Sequence, residues 1–148
     1  MNLDVIAVDK MRESYLRDGC AMYRRRLAPY ISVNVIEVKA QPNDLESEGR
    51  ALLARVAAGS VVWALDREGT LLDSLGVAGR LAAVERAGNR RLALVIGGPA
   101  GLHDLVLKIV DFRWSLSPLT FLHEMTRLLV FEQLYRAIKI NRGEPYHR

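Results

Sequence analysis

Short apolar runs alternate along the chain with longer amphipathic segments. This alternation predicts an α/β fold with a mostly parallel sheet and helices on both faces. Residues 92–96 include no polar side chain, as in a parallel strand covered on both sides, and residues 31–38 alternate apolar with polar positions. The pattern predicts strands at 3–8, 31–38, 60–65, 92–96 and 112–116, and helices at 10–27, 45–58, 73–87, 101–110 and 121–140. Glu68-Gly69-Thr70 is predicted to form a turn after the 60–65 strand.

The 92–96 run ends in the sequence Gly97-Gly98-Pro99-Ala100-Gly101. Glycines just past the carboxyl end of a buried strand permit tight turns and close backbone approach, which is where open α/β sheets bind small molecules. The loops at 65–66, 97–99 and 116–121 follow three such strands, so we expect them to share one edge and to form one pocket. A tight strand-to-helix turn without any ligand explains the glycines equally well at this stage.

The glycine loop does not fit a phosphate site. It matches neither of the two nucleotide-binding glycine fingerprints. Pro99 has no N–H to donate, and Asp104 places negative charge in the first turn of the next helix, where a phosphate prefers positive charge. The loop therefore favours a neutral or cationic ligand over a nucleotide polyphosphate.

Composition and charge restrict the class of protein further. The 148 residues, half of them hydrophobic, suit one domain spanning 1–148, and the net charge of +4 suits a polyanionic partner without requiring one. Cys20, the one cysteine, fits a reducing cytosol and a packed core thiol. The amino-terminal apolar patch reads as a strand and not as a signal peptide or membrane anchor, so we expect a cytoplasmic protein with no membrane partner.

The last predicted helix is apolar around well over half of its circumference. Such a helix is either wholly internal or shared between the core and a second subunit. A terminal helix is seldom wholly internal, and the pattern therefore favours a homodimer that packs partly through it.

Spacing alone gives a pocket without a chemistry. The titratable side chains expected near it form no recognisable catalytic pair, and the three histidines lack the spacing of a zinc site, so no metal is predicted. Ser117 and Thr120 offer hydroxyl groups to the pocket, although either residue could simply cap the last helix. The titratable candidates are Asp66, Glu68, His103, His123 and Glu132.

Three ordered motifs carry a resemblance to a known family. They are L-V-I-G-G-P-A-G from residue 94, W-S-L-S-P-L-T-F-L-H-E-M-T-R-L-L-V-F-E-Q-L-Y-R-A from residue 114, and the terminal E-P-Y-H-R. The chain resembles the ribosomal RNA large subunit methyltransferase H family over its whole length, most specifically in its last third.

The resemblance implies a methyltransferase of the SPOUT class, a homodimer with a deep trefoil knot in its carboxyl-terminal part. It also implies that S-adenosylmethionine is used to methylate N3 of a pseudouridine in 23S rRNA on the assembled ribosome. General rules of chain topology would have argued against a knot. The residues that the resemblance assigns to the methyl-donor pocket are Leu65, Gly97, Leu116, Ser117, Pro118, Leu119, Thr120 and Phe121.

The resemblance assigns the catalytic role to Tyr146, His147 and Arg148, which one subunit would bring toward the other subunit's donor. His147 would take the N3 proton or hold the base, and Arg148 would neutralise developing charge or a phosphate. A free tail without function is the usual alternative for terminal residues.

The sequence departs from the family at two places. Ala100 replaces a glutamate found in many relatives, which removes a carboxylate from the pocket rim, and Gly143-Glu144 precedes Pro145 where some relatives have Asn-His or His-Pro. Two alternatives to an RNA methyltransferase remain. One is a non-catalytic ribosome-binding or assembly protein with the same fold, and the other is a Rossmann-like enzyme acting on a nucleotide or other small molecule.

Overall fold

The computed structural model describes residues 1–147, within which five strands alternate with five helices. Every pair of neighbouring strands is parallel, in the order β2-β1-β4-β3-β5, which confirms the predicted parallel α/β architecture. The elements are β1 (Asn2–Val8), α1 (Ser14–Leu27), β2 (Ser32–Val38), α2 (Leu45–Leu53), β3 (Val61–Leu71), α3 (Ser74–Arg86), β4 (Arg91–Ile96), α4 (Asp104–Leu107), β5 (Phe112–Ser115) and α5 (His123–Asn141).

Helices cover both faces of the sheet, as predicted. Helices α1, α3 and α5 pack on one face, and α2 and α4 pack on the other. Leu92 and Leu94 belong to the three-helix core, whereas Ala93 and Val95 belong to the opposite core, and all four are fully buried. Successive side chains of β4 thus enter different apolar cores, which explains why this strand has no polar position.

Helix α5 contacts both α1 and α3 as well as the sheet, so much of its apolar circumference is used within the subunit. Its core-facing side includes Val130, Phe131 and Leu134, each at most 1% exposed. Leu128 packs toward α1, where a Cβ on Gly19 would lie 3.0 Å from its Cδ1 atom. Much of the helix is therefore buried within the subunit, whereas Leu128, Leu129 and Tyr135 stay partly exposed, and its sharing with a second subunit stays a prediction.

Four predicted elements have clearly different bounds in the structure, and the first is the 10–27 helix, which begins only at Ser14. The 45–58 helix ends at Leu53, after which the Arg55 and Val56 N–H groups bond to the carbonyls of Leu52 and Leu53, three residues back. The 101–110 helix shrinks to α4, because the glycine turn extends to Gly101. The 60–65 strand continues to Leu71 through an irregularity between Leu65 and Thr70, where the sequence predicted a turn.

Cys20 lies in α1 as a buried thiol, in agreement with the sequence. Burial raises its pKa to about 11, so at neutral pH it is protonated and a poor nucleophile. Within residues 1–147 no helix is both long and apolar enough to cross a membrane.

Candidate functional site

The irregular part of β3 (residues 65–68) and the connections that follow β4 and β5 line a single cleft of about 530 Å³ at the carboxyl edge of the sheet. This shared pocket was predicted from the alternation of strands and helices, and it follows from the adjacency of β4, β3 and β5 in the sheet. Its volume lies within the usual range for small-molecule sites. The cleft is therefore the candidate binding site of the chain.

A tight glycine turn forms the wall of the cleft after β4. Gly101 adopts a φ of +78° and donates its N–H to the Gly98 carbonyl at 2.9 Å. A Cβ on Gly97 would lie 2.5 Å from the Gly101 carbonyl oxygen, a separation that real Cβ atoms essentially never show. Residue 97 must therefore be glycine for the turn to close, and the turn leaves backbone groups at the cleft.

The irregular segment of β3 forms the second wall, and it is held against β5. Asp66 accepts two hydrogen bonds from the Arg113 guanidinium, at 2.8 and 2.5 Å. The buried Ser115 hydroxyl donates to the Arg67 carbonyl at 2.8 Å. A Cβ on Gly69 would stand 2.6 Å from the Arg113 carbonyl oxygen, so this glycine permits the two backbones to approach. These contacts fix the segment that sequence analysis read as a free turn.

The connection from β5 to α5 closes the third side. The Thr120 hydroxyl accepts a hydrogen bond from Arg67 at 2.6 Å, and the Ser117 hydroxyl accepts the Leu119 N–H at 3.0 Å. Neither residue caps α5, whose N-cap is Leu122 with no side-chain hydrogen bond, so the capping alternative was wrong. The two hydroxyl groups instead shape the loop itself.

The charges of the cleft do not favour an anionic ligand. Three carboxylates line it against two arginines, and Arg113 is paired with Asp66. Asp104 stands in the first turn of α4, as predicted, where its negative charge would repel a phosphate. The cleft thus suits a neutral or cationic ligand. Its carboxylates are those of Asp66, Glu68 and Asp104, and its arginines are Arg67 and Arg113.

Most of the residues assigned to the methyl-donor pocket line this cleft. Pro118 does not line it, and Ala100, at the position of the missing glutamate, does. The binding roles themselves stay predictions. Those residues that line the cleft are Leu65, Gly97, Leu116, Ser117, Leu119, Thr120 and Phe121.

Of the five titratable candidates, Asp66, Glu68 and His123 line the cleft. His103 does not, because its Nδ1 accepts the Leu105 N–H and caps α4. Glu132 lies further along α5 and belongs to the tail contacts described below.

Sequence analysis did not single out Arg67, Arg113, Trp114 or Thr126 as cleft residues. A signal was available for Thr126, which stands three residues after His123 and therefore on the same face of α5. For the arginines there was none, since their positions depend on how β3 bends around β5. Among residues 1–147, no group of three or more His, Cys, Asp or Glu side chains could hold a metal ion.

The carboxyl-terminal tail folds back onto α1 and α5. The Tyr146 hydroxyl donates to Glu132 Oε1 at 3.1 Å and contacts the Tyr23 hydroxyl at 3.0 Å. Its ring packs edge-on against Tyr135, with 4.8 Å between ring centroids, and His147 Nδ1 lies 3.1 Å from Arg136 Nη1. Burial raises the pKa of Tyr146, so at neutral pH the phenol donates a hydrogen bond and does not act as a base.

The tail and the cleft of one subunit are separate. His123 lines the cleft at the start of α5, whereas Tyr146 bonds to Glu132, nine residues further along and about 14 Å along the helix axis. Within residues 1–147, no tail side chain lines the cleft. Arg148, the third residue assigned to catalysis, lies outside the described residues.

A turn after α5 directs the tail. Gly143, with a φ of +66°, donates its N–H to the Ile140 carbonyl, and the Glu144 N–H bonds to the Lys139 carbonyl, both at 3.0 Å. This is the Schellman arrangement that ends many helices. The Glu144 carboxylate then accepts from Lys139 at 2.5 Å, Arg142 at 2.7 Å and the Tyr30 hydroxyl at 3.1 Å. Gly143-Glu144, where the sequence departs from some relatives, therefore ends α5 and ties the tail to Lys139, Arg142 and Tyr30; we call this set of contacts the clamp.

We expect Glu144 to titrate far below an ordinary glutamate. Hydrogen bonds from Lys139 and then Arg142 lower its pKa from 4.5 to about 2. A depressed pKa means that the clamp stabilises the folded tail above about pH 4.5, and that this contribution is lost as the pH falls toward 2. NMR signals of the Tyr30 ring, which contacts the carboxylate, should show the titration, and Glu144→Gln should remove it. A midpoint near 4.5 would contradict the clamp.

Comparison with known proteins gives the class to which this fold and cleft belong. The sequence model of the family described as "Predicted SPOUT methyltransferase" matches residues 1–147. The solved structure of a probable methylase family protein from Haemophilus influenzae Rd KW20 shares the fold, with a TM-score of 0.58 at 14% identity, over 99% of this chain and 70% of that one. The chain thus belongs to the SPOUT methyltransferase class.

Full-length relatives narrow the class. A putative ribosomal RNA large subunit methyltransferase H of Methanoregula boonei is 42% identical, and the match covers all of both chains. Ribosomal RNA large subunit methyltransferase H of Moorella thermoacetica is 43% identical over all of this chain and 99% of that one, and its Alkaliphilus oremlandii counterpart is 38% identical over all of both. The chain belongs to the ribosomal RNA large subunit methyltransferase H family.

Proposed function

We propose that this protein transfers a methyl group from S-adenosylmethionine to N3 of a pseudouridine in 23S rRNA, on the assembled ribosome and in the cytoplasm. The observation that carries the proposal is the full-length match to relatives named for methylation of large-subunit rRNA. The cleft at the carboxyl edge supports it, since the donor would occupy the space between the irregular part of β3 and the loops that follow β4 and β5.

The residues of the cleft fit S-adenosylmethionine. The donor has no phosphate and carries a sulfonium cation. The cleft has Asp104 in the first turn of α4, where it disfavours a phosphate, and more carboxylates than arginines. Gly97 and its turn would hold the donor through backbone groups, while Leu65 and Phe121 would supply apolar contact. When bound, S-adenosylmethionine supplies a methyl carbon activated for in-line displacement.

The chain's own residues would then position the acceptor and handle its proton. Holding the two reacting atoms in a near-attack geometry accounts for much of the acceleration in such reactions. The Tyr146 hydroxyl donates to Glu132, which also accepts from Arg136, and Arg136 lies 3.1 Å from His147 Nδ1, so Tyr146 would act by fixing the tail that carries the base. The imidazole of His147 would accept the N3 proton, and the guanidinium of Arg148 would stabilise the developing anion.

This division of labour requires a homodimer in which each tail serves the other subunit's cleft. The separation of tail and cleft within one subunit supports that arrangement. Apart from Ile109, the large apolar side chains that are most exposed lie at the carboxyl edge, at the end of β3, in the connection before α5 and in the first turns of α1 and α3, and such patches mark protein interfaces. They are Tyr15, Leu71, Leu75, Leu119 and Leu122, each 49–69% exposed.

We include in the proposal the trefoil knot that the family implies. The irregular segment of β3 lies against β5 just before the chain passes into α5, so the backbones are in close contact where threading would occur. Mechanical extension from both termini tests it, because a knotted chain stops short of its full contour length. Extension to the full length would exclude the knot.

The function is tested by transfer of labelled methyl from S-adenosylmethionine to intact ribosomes that lack the modification. Free 23S rRNA and ribosomes without pseudouridine serve as parallel substrates. We expect label only on intact pseudouridylated ribosomes. Donor binding without transfer to any substrate would contradict the proposed acceptor, and absence of donor binding would favour a non-catalytic ribosome-binding protein.

A further inference from the structure

A second open cleft, of about 780 Å³, lies at the opposite, amino-terminal edge of the sheet. The end of α1 and the starts of β1 and β2 form it, and its walls include Arg24, Arg25, Tyr30 and Ser32. None of the residues that line it carries a carboxylate. The cleft is therefore basic, and it is distinct from the methyl-donor cleft.

The two arginines of this cleft are available to a ligand. Both are exposed, and among residues 1–147 neither forms an ion pair or a side-chain hydrogen bond. Their neighbour Arg26 behaves differently, since its guanidinium lies 5.3 Å from the Tyr23 ring centroid and 5.9 Å from that of Tyr135. Favourable interaction with the end of the α1 dipole explains cations here, but it does not explain a cleft without carboxylates.

The basic cleft adjoins the tail. Tyr30 lines the cleft and also donates its hydroxyl to Glu144, while Tyr23, the residue before Arg24, contacts Tyr146. If each tail serves the second subunit's donor cleft, Arg24 and Arg25 of the same subunit come to stand beside that cleft. An RNA segment entering the methylation site would then run past them.

We propose that Arg24 and Arg25 bind the sugar-phosphate backbone of the rRNA next to the methylated nucleotide, and so deliver it to the donor cleft of the second subunit. This inference rests on the proposed function. Arginine suits the task because its planar fork donates two hydrogen bonds to a phosphate. Such contacts position an RNA without reading its bases, and they weaken as salt rises.

The test compares two double variants with the same loss of charge. Arg24→Ala/Arg25→Ala removes the basic cleft, and Arg55→Ala/Lys108→Ala removes two exposed cations from the α2 and α4 side. We expect the first variant to raise KM for ribosomes roughly ten-fold or more, with kcat at saturation and donor affinity unchanged. The salt dependence of kcat/KM should become shallower by about one to two in logarithmic slope. The second variant should match the wild type.

A charge-conserving variant and a binding assay separate the possible results. Arg24→Lys/Arg25→Lys keeps both charges but loses the planar forks, so its ribosome affinity should lie between those of the wild type and the alanine variant, with a salt dependence close to that of the wild type. A salt dependence as shallow as that of the alanine variant would overturn the electrostatic contact. Sedimentation with ribosomes measures binding without catalysis. Equal ribosome binding by the alanine variant and the wild type would overturn the proposal that the basic cleft binds rRNA. A wild type that binds ribosomes through these arginines and transfers no methyl would overturn the proposed function instead.

Discussion

Two variants that are each inactive alone should form an active heterodimer. One lacks residues 146–148, and the other carries Gly97→Ala, which disrupts the glycine turn that lines the donor cleft and so leaves the variant inactive at limiting donor concentration. A heterodimer then combines an intact cleft on the first subunit with an intact tail on the second. Since the other site lacks both parts, we expect roughly half of the wild-type methyl transfer per dimer. Coexpression with two different affinity tags and tandem purification would isolate the heterodimer for this assay.

The same experiment distinguishes sharing in trans from action within one chain. If each tail acted on the cleft of its own subunit, the heterodimer would contain no intact site and would be inactive. The control is a heterodimer that carries both changes in one subunit beside a wild-type partner, which contains no complete shared site and should be inactive. Both homodimers must also be tested, and the tail deletion should still bind the donor, because no tail residue among 1–147 lines the cleft.

The sequence was sufficient for the parallel α/β architecture and for the position of the candidate cleft. The apolar run of β4 and the glycines after it predict a covered parallel strand and a loop at its carboxyl end, because both are local patterns. The adjacency of three connections at one edge then follows from the rules of parallel sheets. Gly97 could be picked out for the same reason.

The parts that failed depend on contacts between distant residues. Glu68-Gly69-Thr70 has the composition of a turn, but the chain continues as a strand because Thr70 pairs with Trp114 and Arg113 holds Asp66. The contact between Tyr23 and Tyr146 joins residues 123 positions apart, and no local pattern predicts it. The departure at Gly143-Glu144 likewise gave no sign of the clamp that Lys139, Arg142 and Tyr30 complete.

The site roles came from resemblance, and physical chemistry explains why they could not come from spacing. A methyl transfer needs positioning and a proton acceptor and no covalent nucleophile or metal, so it leaves no compact motif of paired catalytic side chains. The sequence does, however, exclude one class of ligand. Pro99, Asp104 and the lack of a phosphate fingerprint argue against a nucleotide polyphosphate, and the charges of the observed cleft agree with that reading.

Gly97→Ala should weaken donor binding at least ten-fold while leaving the fold intact. The added Cβ would stand 2.5 Å from the Gly101 carbonyl oxygen and 2.7 Å from its carbon, so the glycine turn must open. Since both contacts are with backbone, no side chain can move aside to relieve them. We expect at least a ten-fold loss of donor affinity, with a cost of about 1–3 kcal/mol in the free energy of unfolding.

The matched control is Gly79→Ala in α3, where an added Cβ meets no atom within 4 Å. That change should leave donor binding unaltered and stabilise the helix by up to about 1 kcal/mol. Donor binding can be followed by the fluorescence of Trp114, which lines the cleft, and by calorimetry. At a hundred-fold excess over Kd, the donor should stabilise the wild type and the control by about 2.7 kcal/mol and Gly97→Ala by much less. Equal stabilisation of all three proteins would show that the donor binds away from the glycine turn.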